Sequence, residues 1–231
     1  MLNIAHRGAS GTCPENTIAA FGAAIEGGAD WCELDVRLSR DGEIVVIHDE
    51  KVDRTTDGSG LVAGMTVAEL KRLDAGSWLD TSFHGERIPM LSEVFEAAGK
   101  RCGLNIELKS GATEGPVCAM IAKRAAYETT IVSSFDWSAL ARVHRIDPAI
   151  KLGVLADRDG SMIETARVLG AHAIHPRYDL VGESLCALVH RDGCKVLAWT
   201  VDDPDLMRRL AAAGVDGIMT NYPARLRAAT G

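Results

Sequence analysis

No hydrophobic run in this chain is long enough to cross a bilayer. Ile18 to Ile25 is among the longest, and Gly22 interrupts it, well short of the roughly 18 residues a spanning helix needs. Stable membrane insertion is therefore not expected. Blocks of like charge are also missing. The 25 Lys and Arg are scattered among 32 Asp and Glu, for a formal net charge of −7, whereas binding to a phosphate backbone rests on clustered cations; no nucleic-acid partner is expected. Met1-Leu2-Asn3-Ile4-Ala5 runs straight into His6, without the basic stretch and apolar core of a secretory signal, so a cytoplasmic location is expected. The cysteines Cys13, Cys32, Cys102, Cys118, Cys186 and Cys194 form no C-x-x-C pair and no zinc-like spacing, and are read as reduced, mostly buried thiols. No G-x-x-x-x-G-K-[ST], H-E-x-x-H or G-x-S-x-G segment occurs, which argues against nucleoside-triphosphate, metalloprotease and serine-hydrolase chemistry.

What remains has ordinary globular composition, with 47% apolar and 25% charged residues. At this length roughly 70 to 75% of the unfolded surface can be buried, in one large domain as readily as in two small ones. Short apolar, β-rich segments alternate with helical stretches. The candidate strands are Asn3 to His6, Trp31 to Leu38, Gly103 to Lys109, Thr130 to Ser134, Lys151 to Leu155, His172 to His175, Lys195 to Val201 and Gly217 to Thr220. Helices are expected near 15–27, 92–100, 114–127, 136–146, 160–169, 182–192, 203–213 and 222–229, several opening on caps or first-turn residues: Pro14 with Glu15, Ser92 with Glu93, Asp203 with Pro204 and Asp205. Eight strand-helix units predict an α/β fold, a (β/α)8 TIM barrel over residues 1–231. A doubly wound open sheet is the rival. One segment breaks the rhythm: Ser39 to Met90 is far longer than a crossover requires, and opens on a hairpin signal at Asp41-Gly42. Residues 49–90 are read as an insertion after the second strand, near the barrel mouth.

Side chains alternate along a strand, so Glu33 and Asp35 share one face, as do Asn105, Glu107 and Lys109. In a barrel these faces point inward and toward the C-terminal mouth. Three carboxylates against one ammonium are costly to bury unless balanced, and a divalent cation would balance them. All-oxygen donors favour Mg²⁺ or Ca²⁺. A two-residue turn at Asp41-Gly42 would set His48 directly across from Asp35. His6 ends the first strand, and Arg7 and Gly8 follow in a turn. Two imidazoles, a cation site, Arg7 and Lys109 suit a phosphate-bearing substrate, with one His taking a proton and the other giving one. Trp199 is either an aromatic plate over a small substrate or a core residue. His172 and His175 fall on opposite strand faces, against a shared metal. Trp78 and Phe83 form either a lid or a small core of the insertion.

Taken together, His6-Arg7-Gly8 with Pro14-Glu15-Asn16-Thr17, Glu33-Leu34-Asp35-Val36, His48-Asp49, Arg54-Thr55-Thr56-Asp57-Gly58, Ile88-Pro89-Met90-Leu91, Glu107-Leu108-Lys109 and Trp199-Thr200-Val201 resemble the glycerophosphodiester phosphodiesterase family of the bacterial cytoplasmic type. The resemblance runs in order over almost the whole chain. It implies a metal-dependent barrel enzyme that hydrolyses glycerophosphodiesters, such as glycerophosphocholine or glycerophosphoethanolamine, to glycerol 3-phosphate and an alcohol. It further implies His6 and His48 as general acid and base, and Glu33, Asp35 and Glu107 as ligands of one divalent cation. Arg7, Glu15, Lys109 and Trp199 would bind phosphate and glycerol or orient the catalytic groups. The chain departs from the family pattern at Asp202, where relatives often carry Asn, and at Asn221, where they often carry Asp. Neither belongs to the metal or histidine set, so these changes are expected to bear on substrate fit. The alternatives are a metal-assisted sugar-phosphate lyase or isomerase and a catalytically silent binding barrel. An oligomer is compatible with the sequence but not specified by it.

Overall fold

Strand β1 (Leu2–Ala5) pairs in parallel with both β2 (Trp31–Leu38) and β9 (Gly217–Thr220), and this double pairing closes the sheet. The computed structural model describes residues 1–99, 101–109, 111–158 and 160–231. Around the barrel β2 is followed by β4 (Gly103–Leu108), β5 (Thr130–Ser134), β6 (Lys151–Ala156), β7 (Ala173–Pro176), β8 (Lys195–Ala198) and β9. All eight are parallel. A ninth strand, β3 (Ile44–Val46), hangs antiparallel on β2. The expected TIM barrel is thus the observed fold, and the open-sheet rival is excluded by the β1–β2 pairing.

The helices that follow the barrel strands are α1 (Ile18–Glu26), α3 (Leu91–Ala98), α4 (Glu114–Arg124), α5 (Trp137–Ile146), α6 (Met162–Leu169), α7 (Glu183–Arg191), α8 (Pro204–Ala212) and α9 (Pro223–Thr230), with the short α2 (Val67–Leu70) inside the insertion. The expected helix at 92–100 reaches Lys100, which lies outside the described residues. Asp203 caps α8 by accepting from the Leu206 N–H at 2.8 Å, with Pro204 in the first turn. The start expected at Pro14 and Glu15 is displaced: Thr17 caps α1, accepting from the Ala20 N–H. Residues 7 to 16 are instead held as a loop over the mouth, where a helix would point their side chains elsewhere.

Strand alternation stacks two interior layers. Ile4, Ile131, Ala173 and Leu197 join Met219 in an apolar plug inside the barrel. Two residues further along the same strands, on the same face, come His6, Ser133, His175 and Trp199. The larger apolar cluster lies outside the barrel, where Leu34, Ile106, Val132 and Val154 meet Phe21, Leu91, Ile121 and Leu140 of the helices. Glycine is required where these layers crowd: a Cβ at Gly103 would stand 2.4 Å from the Trp31 ring, and one at Gly153 2.4 Å from the His175 ring.

The Asp41-Gly42 hairpin differs from its expected form. Leu38 pairs with Ile44 and Val36 with Val46, so five residues connect the strands and the register is shifted by one. Ser39 and Glu43 close the loop through a 3.0 Å backbone bond, with Gly42 at φ 82°. Ile47, not His48, lies across from Asp35, its N–H donating to the Asp35 carbonyl at 2.9 Å. The segment that follows has its own core of Val45, Ile47, Val52, Val62, Leu70, Ala75 and Ile88. Trp78 and Phe83 belong neither to that core nor to the mouth pocket.

Candidate active site at the C-terminal mouth

A pocket of about 160 Å³ at the C-terminal ends of the strands is lined by His6, Arg7, Glu33, His48, Asn105, Glu107, Lys109, Phe135 and Trp199, among others. The β1–α1 loop shapes one wall. Arg7 sits at φ 55° and Gly8 at φ 80°, and a Cβ on Gly8 would be 2.6 Å from the Ala20 backbone; only glycine tolerates both the dihedral and the approach. This tight turn aims the Arg7 N–H at Glu33 Oε2, 2.9 Å away. Asn16, at φ 60°, spans the loop: its amide donates to Asp35 Oδ2 at 2.8 Å and accepts from the Asp35 N–H at 3.3 Å.

Glu33, Asp35 and Glu107 are all buried and each offers a carboxylate oxygen within 4.8 Å of the others. Lys109 Nζ lies 2.5 Å from Glu107 and 3.3 Å from Asp35, and Arg7 Nε lies 3.3 Å from Asp35. Arg7 also pairs with Glu15 at 2.9 Å, and Arg54 joins Glu15 to Asp49. That outer chain of two arginines and two carboxylates neutralises itself. With all three carboxylates ionised, the triad and Lys109 would carry two surplus negative charges, and Glu33 Oε1 has no hydrogen-bond partner among the described residues. An all-oxygen site of this charge suits one hard divalent cation, and the three carboxylates can hold it together. The crowding of like charge shows in the protonation energetics. Burial, reinforced by Asp35, pushes Glu107 up to about 7. Burial with Asp35 and Glu107 likewise drives Glu33 well above the usual carboxylate range. Burial opposes the Asp35 anion too, but Lys109 and Arg7 outweigh it and hold Asp35 below its ordinary value.

His6 and His48 both line the pocket beside the triad. His6 Nδ1 is 2.8 Å from Asn221 Oδ1, and its Nε2 faces Glu33 Oε2 at 4.0 Å. Burial and the neighbouring Arg7 push His6 down to about 4. His48 reaches the mouth by a different route from the expected strand pairing: β3 ends at Val46, and the chain bends so that the His48 carbonyl accepts from Arg37 Nε at 2.9 Å. Its Nδ1 meets Asp49 Oδ1 at 2.6 Å, and Arg54 grips both Asp49 oxygens. Burial lowers its pKa, outweighing the opposing pull of Asp35 and Asp49.

Trp199 forms a further part of the wall, its indole N–H donating to the His175 carbonyl at 2.7 Å and its ring meeting Phe135 edge-on at 5.4 Å. Glu15 faces Arg7 and Arg54 rather than the pocket, and Asp35 lies beneath the surface lined by the others. His175 is fully buried inside the barrel and His172 lies away from the mouth. Sequence reasoning missed Asn16, Phe135 and Asn221. The left-handed backbone that carries the Asn16 amide to Asp35 is not legible in its Glu15 and Thr17 neighbours, and nothing in the sequence placed the other two. Asn221, expected to stand apart from the histidine set, hydrogen-bonds His6 directly.

Fold and mouth together define a (β/α)8-barrel hydrolase of phosphate esters with a seat for a divalent cation. The model of the glycerophosphoryl diester phosphodiesterase family matches residues 6–225. A glycerophosphodiester phosphodiesterase of Caldanaerobacter subterraneus is 44% identical, over 97% of this chain and 96% of the relative. Among solved structures, an Oleispira antarctica phosphodiesterase in complex with the product sn-glycerol-3-phosphate superposes with a TM-score of 0.89 at 35% identity, over 98% of this chain and 95% of the other. A glycerophosphodiester phosphodiesterase from Agrobacterium tumefaciens gives 0.90 at 33% identity, over 99% and 100%. The chain belongs to the glycerophosphodiester phosphodiesterase family, and hydrolyses glycerophosphodiesters to glycerol 3-phosphate and an alcohol.

Proposed function

We propose that residues 1–231 form one barrel domain whose mouth, bordered by the insertion at 49–90, carries out this hydrolysis with Glu33, Asp35 and Glu107 holding the cation. The observation that carries the reading is the meeting of His6, His48, Arg7 and Lys109 with the carboxylate triad around one small pocket. When bound, the cation polarises the phosphoryl group and stabilises the charge that develops on it. Lys109 and Arg7 bind the same charge, and Glu15 and Arg54 orient Arg7. His6 and His48 move protons on opposite sides of the phosphorus, one from the attacking hydroxyl and one to the departing alcohol. Trp199, packed against Phe135, covers the carbon part of the substrate. A pocket of about 160 Å³ favours a glycerophosphate-sized group within it and the alcohol, such as choline or ethanolamine, directed outward.

Mg²⁺ and Ca²⁺ both fit an all-oxygen triad. The six cysteines are free and buried, in keeping with a reducing, cytoplasmic setting, and no helix among the described residues is long and apolar enough to cross a membrane. The paired histidines disfavour a silent binding barrel, and the family disfavours a sugar-phosphate lyase or isomerase. The test is release of glycerol 3-phosphate from glycerophosphocholine and glycerophosphoethanolamine after chelation and again with Mg²⁺ or Ca²⁺ restored, beside His6→Ala. Release that needs both cation and His6 supports the reading; release that survives thorough chelation overturns the metal assignment.

A further inference from the structure

Behind His6 stands a hydrogen-bonded chain that ends in a carboxylate. Asp202 Oδ1 accepts from the Thr220 hydroxyl and the Asn221 N–H, both at 2.9 Å, and Asp202 Oδ2 accepts from Asn221 Nδ2 at 2.6 Å. A carboxylate only accepts, so the Asn221 amide must turn its NH₂ toward Asp202. Its Oδ1 therefore faces His6 Nδ1 at 2.8 Å, with the Ser10 hydroxyl also 2.8 Å away. An amide oxygen has no proton to give. His6 Nδ1 must carry the proton, and Nε2, which faces the pocket beside Glu33, is left with its lone pair.

We propose that Asp202 and Asn221 are positioning residues that lock His6 in the Nδ1–H tautomer, making its Nε2 the atom that accepts the proton of the attacking hydroxyl. The assignment rests on the role given to His6 above and narrows it: His6 is the base of the attack step, leaving delivery of the proton to the departing alcohol to His48. The chain also specifies how it fails. Asp202→Asn keeps an oxygen for Thr220 and the Asn221 N–H but sets an NH₂ against Asn221 Nδ2. The Asn221 amide then flips, its NH₂ turns to His6, Nδ1 becomes the acceptor and the proton moves to Nε2. Exchanging the two groups restores every donor and acceptor: when Asp202→Asn is combined with Asn221→Asp, the carboxylate then at position 221 accepts both from the amide at position 202 and from His6 Nδ1–H.

The experiment measures kcat and KM for glycerophosphocholine hydrolysis in the parent, Asp202→Asn, the double exchange and His6→Ala. Alongside it, the imidazole ¹⁵N shifts of His6 are read in the parent and in Asp202→Asn. Asp202→Asn is expected to lower kcat by about 10- to 100-fold at nearly unchanged KM, less than the roughly 10² to 10⁴ that the general base itself contributes. The double exchange is expected to recover most of that loss, and the shifts should report Nδ1–H in the parent and Nε2–H in the single variant. An inactive His6→Ala beside a fully active Asp202→Asn overturns the positioning proposal alone, as does an Nε2–H signal in the parent. An active His6→Ala overturns the catalytic role of His6 itself. A double exchange no better than the single also counts against the proposal, because a merely structural loss would not be repaired by restoring the hydrogen-bond polarity.

Discussion

The two walls of the mouth hold their histidines by different chemistry. On the β1 and β9 side, His6 is tied to the neutral amide of Asn221, one bond removed from the Asp202 carboxylate. On the insertion side, His48 meets a carboxylate directly, and Arg54 braces that carboxylate against Glu15. The first arrangement orients the ring without a counter-ion in contact with Nδ1; burial and Arg7 push His6 down to about 4 against the opposing pull of the Asn221 bond. The second gives a protonated ring a counter-ion. The end of a barrel strand supplies one imidazole, held by closure of the sheet; the segment that leaves β3 supplies the other, just ahead of the insertion. The two histidines are thus distinguished by their partners, which is the basis on which the proposed base and acid are told apart.

The strongest way to break the comparison is to remove what both walls serve. Glu33→Ala or Glu107→Ala is expected to abolish metal-dependent turnover, read as loss of glycerol 3-phosphate release with no recovery on adding cation. Next comes His48→Ala, for which a rate loss of about 10² to 10⁴ is expected. Cation binding should survive, visible as an unchanged cation-induced rise in Tm. Arg54→Ala tests the brace alone. Its pairs are partly exposed, so a loss of about tenfold in kcat is expected, and parent-like kcat would show that Asp49 holds His48 unaided. The gentlest probe is pH. Glu107 ordinarily loses its proton near 4.5, but in the folded chain only near 7. Its contribution to the metal-free fold is therefore complete below 4.5 and lost as pH rises through 7. A cation needs the anion. Calorimetry should accordingly show the rise in Tm on adding Mg²⁺ or Ca²⁺ growing from pH 5.5 to pH 8, and a rise that shrinks over that range would contradict the triad.

Much of this was legible before the fold was seen, because period-two alternation is a local rule. It placed Glu33 with Asp35, and Asn105 with Glu107 and Lys109, and the structure gathers these side chains at one mouth. The hairpin shows where a local rule stops. A two-residue turn would have set His48 opposite Asp35, but the five-residue connection shifts the register and puts Ile47 there. His48 arrives anyway, because the ladder ends and the chain bends. Helix onset at 15 failed for a related reason: Pro14 and Glu15 look like a first turn, yet Glu15 is committed to Arg7 and Arg54, and the helix waits for Thr17.

The sequence by itself determined the eight-unit barrel, the carboxylate pattern and the family, since each rests on residue order and short-range periodicity. Tertiary structure alone decided which groups stand behind His6 and around Asp35, whereas the partner of His48 is its chain neighbour Asp49. Asn221 and Ser10 meet at 2.8 Å although 211 positions separate them, and Asn16 reaches Asp35 only through a left-handed turn. Contacts of that kind are set by closing the sheet and by side-chain orientation at loop ends, and neither leaves a period in the chain.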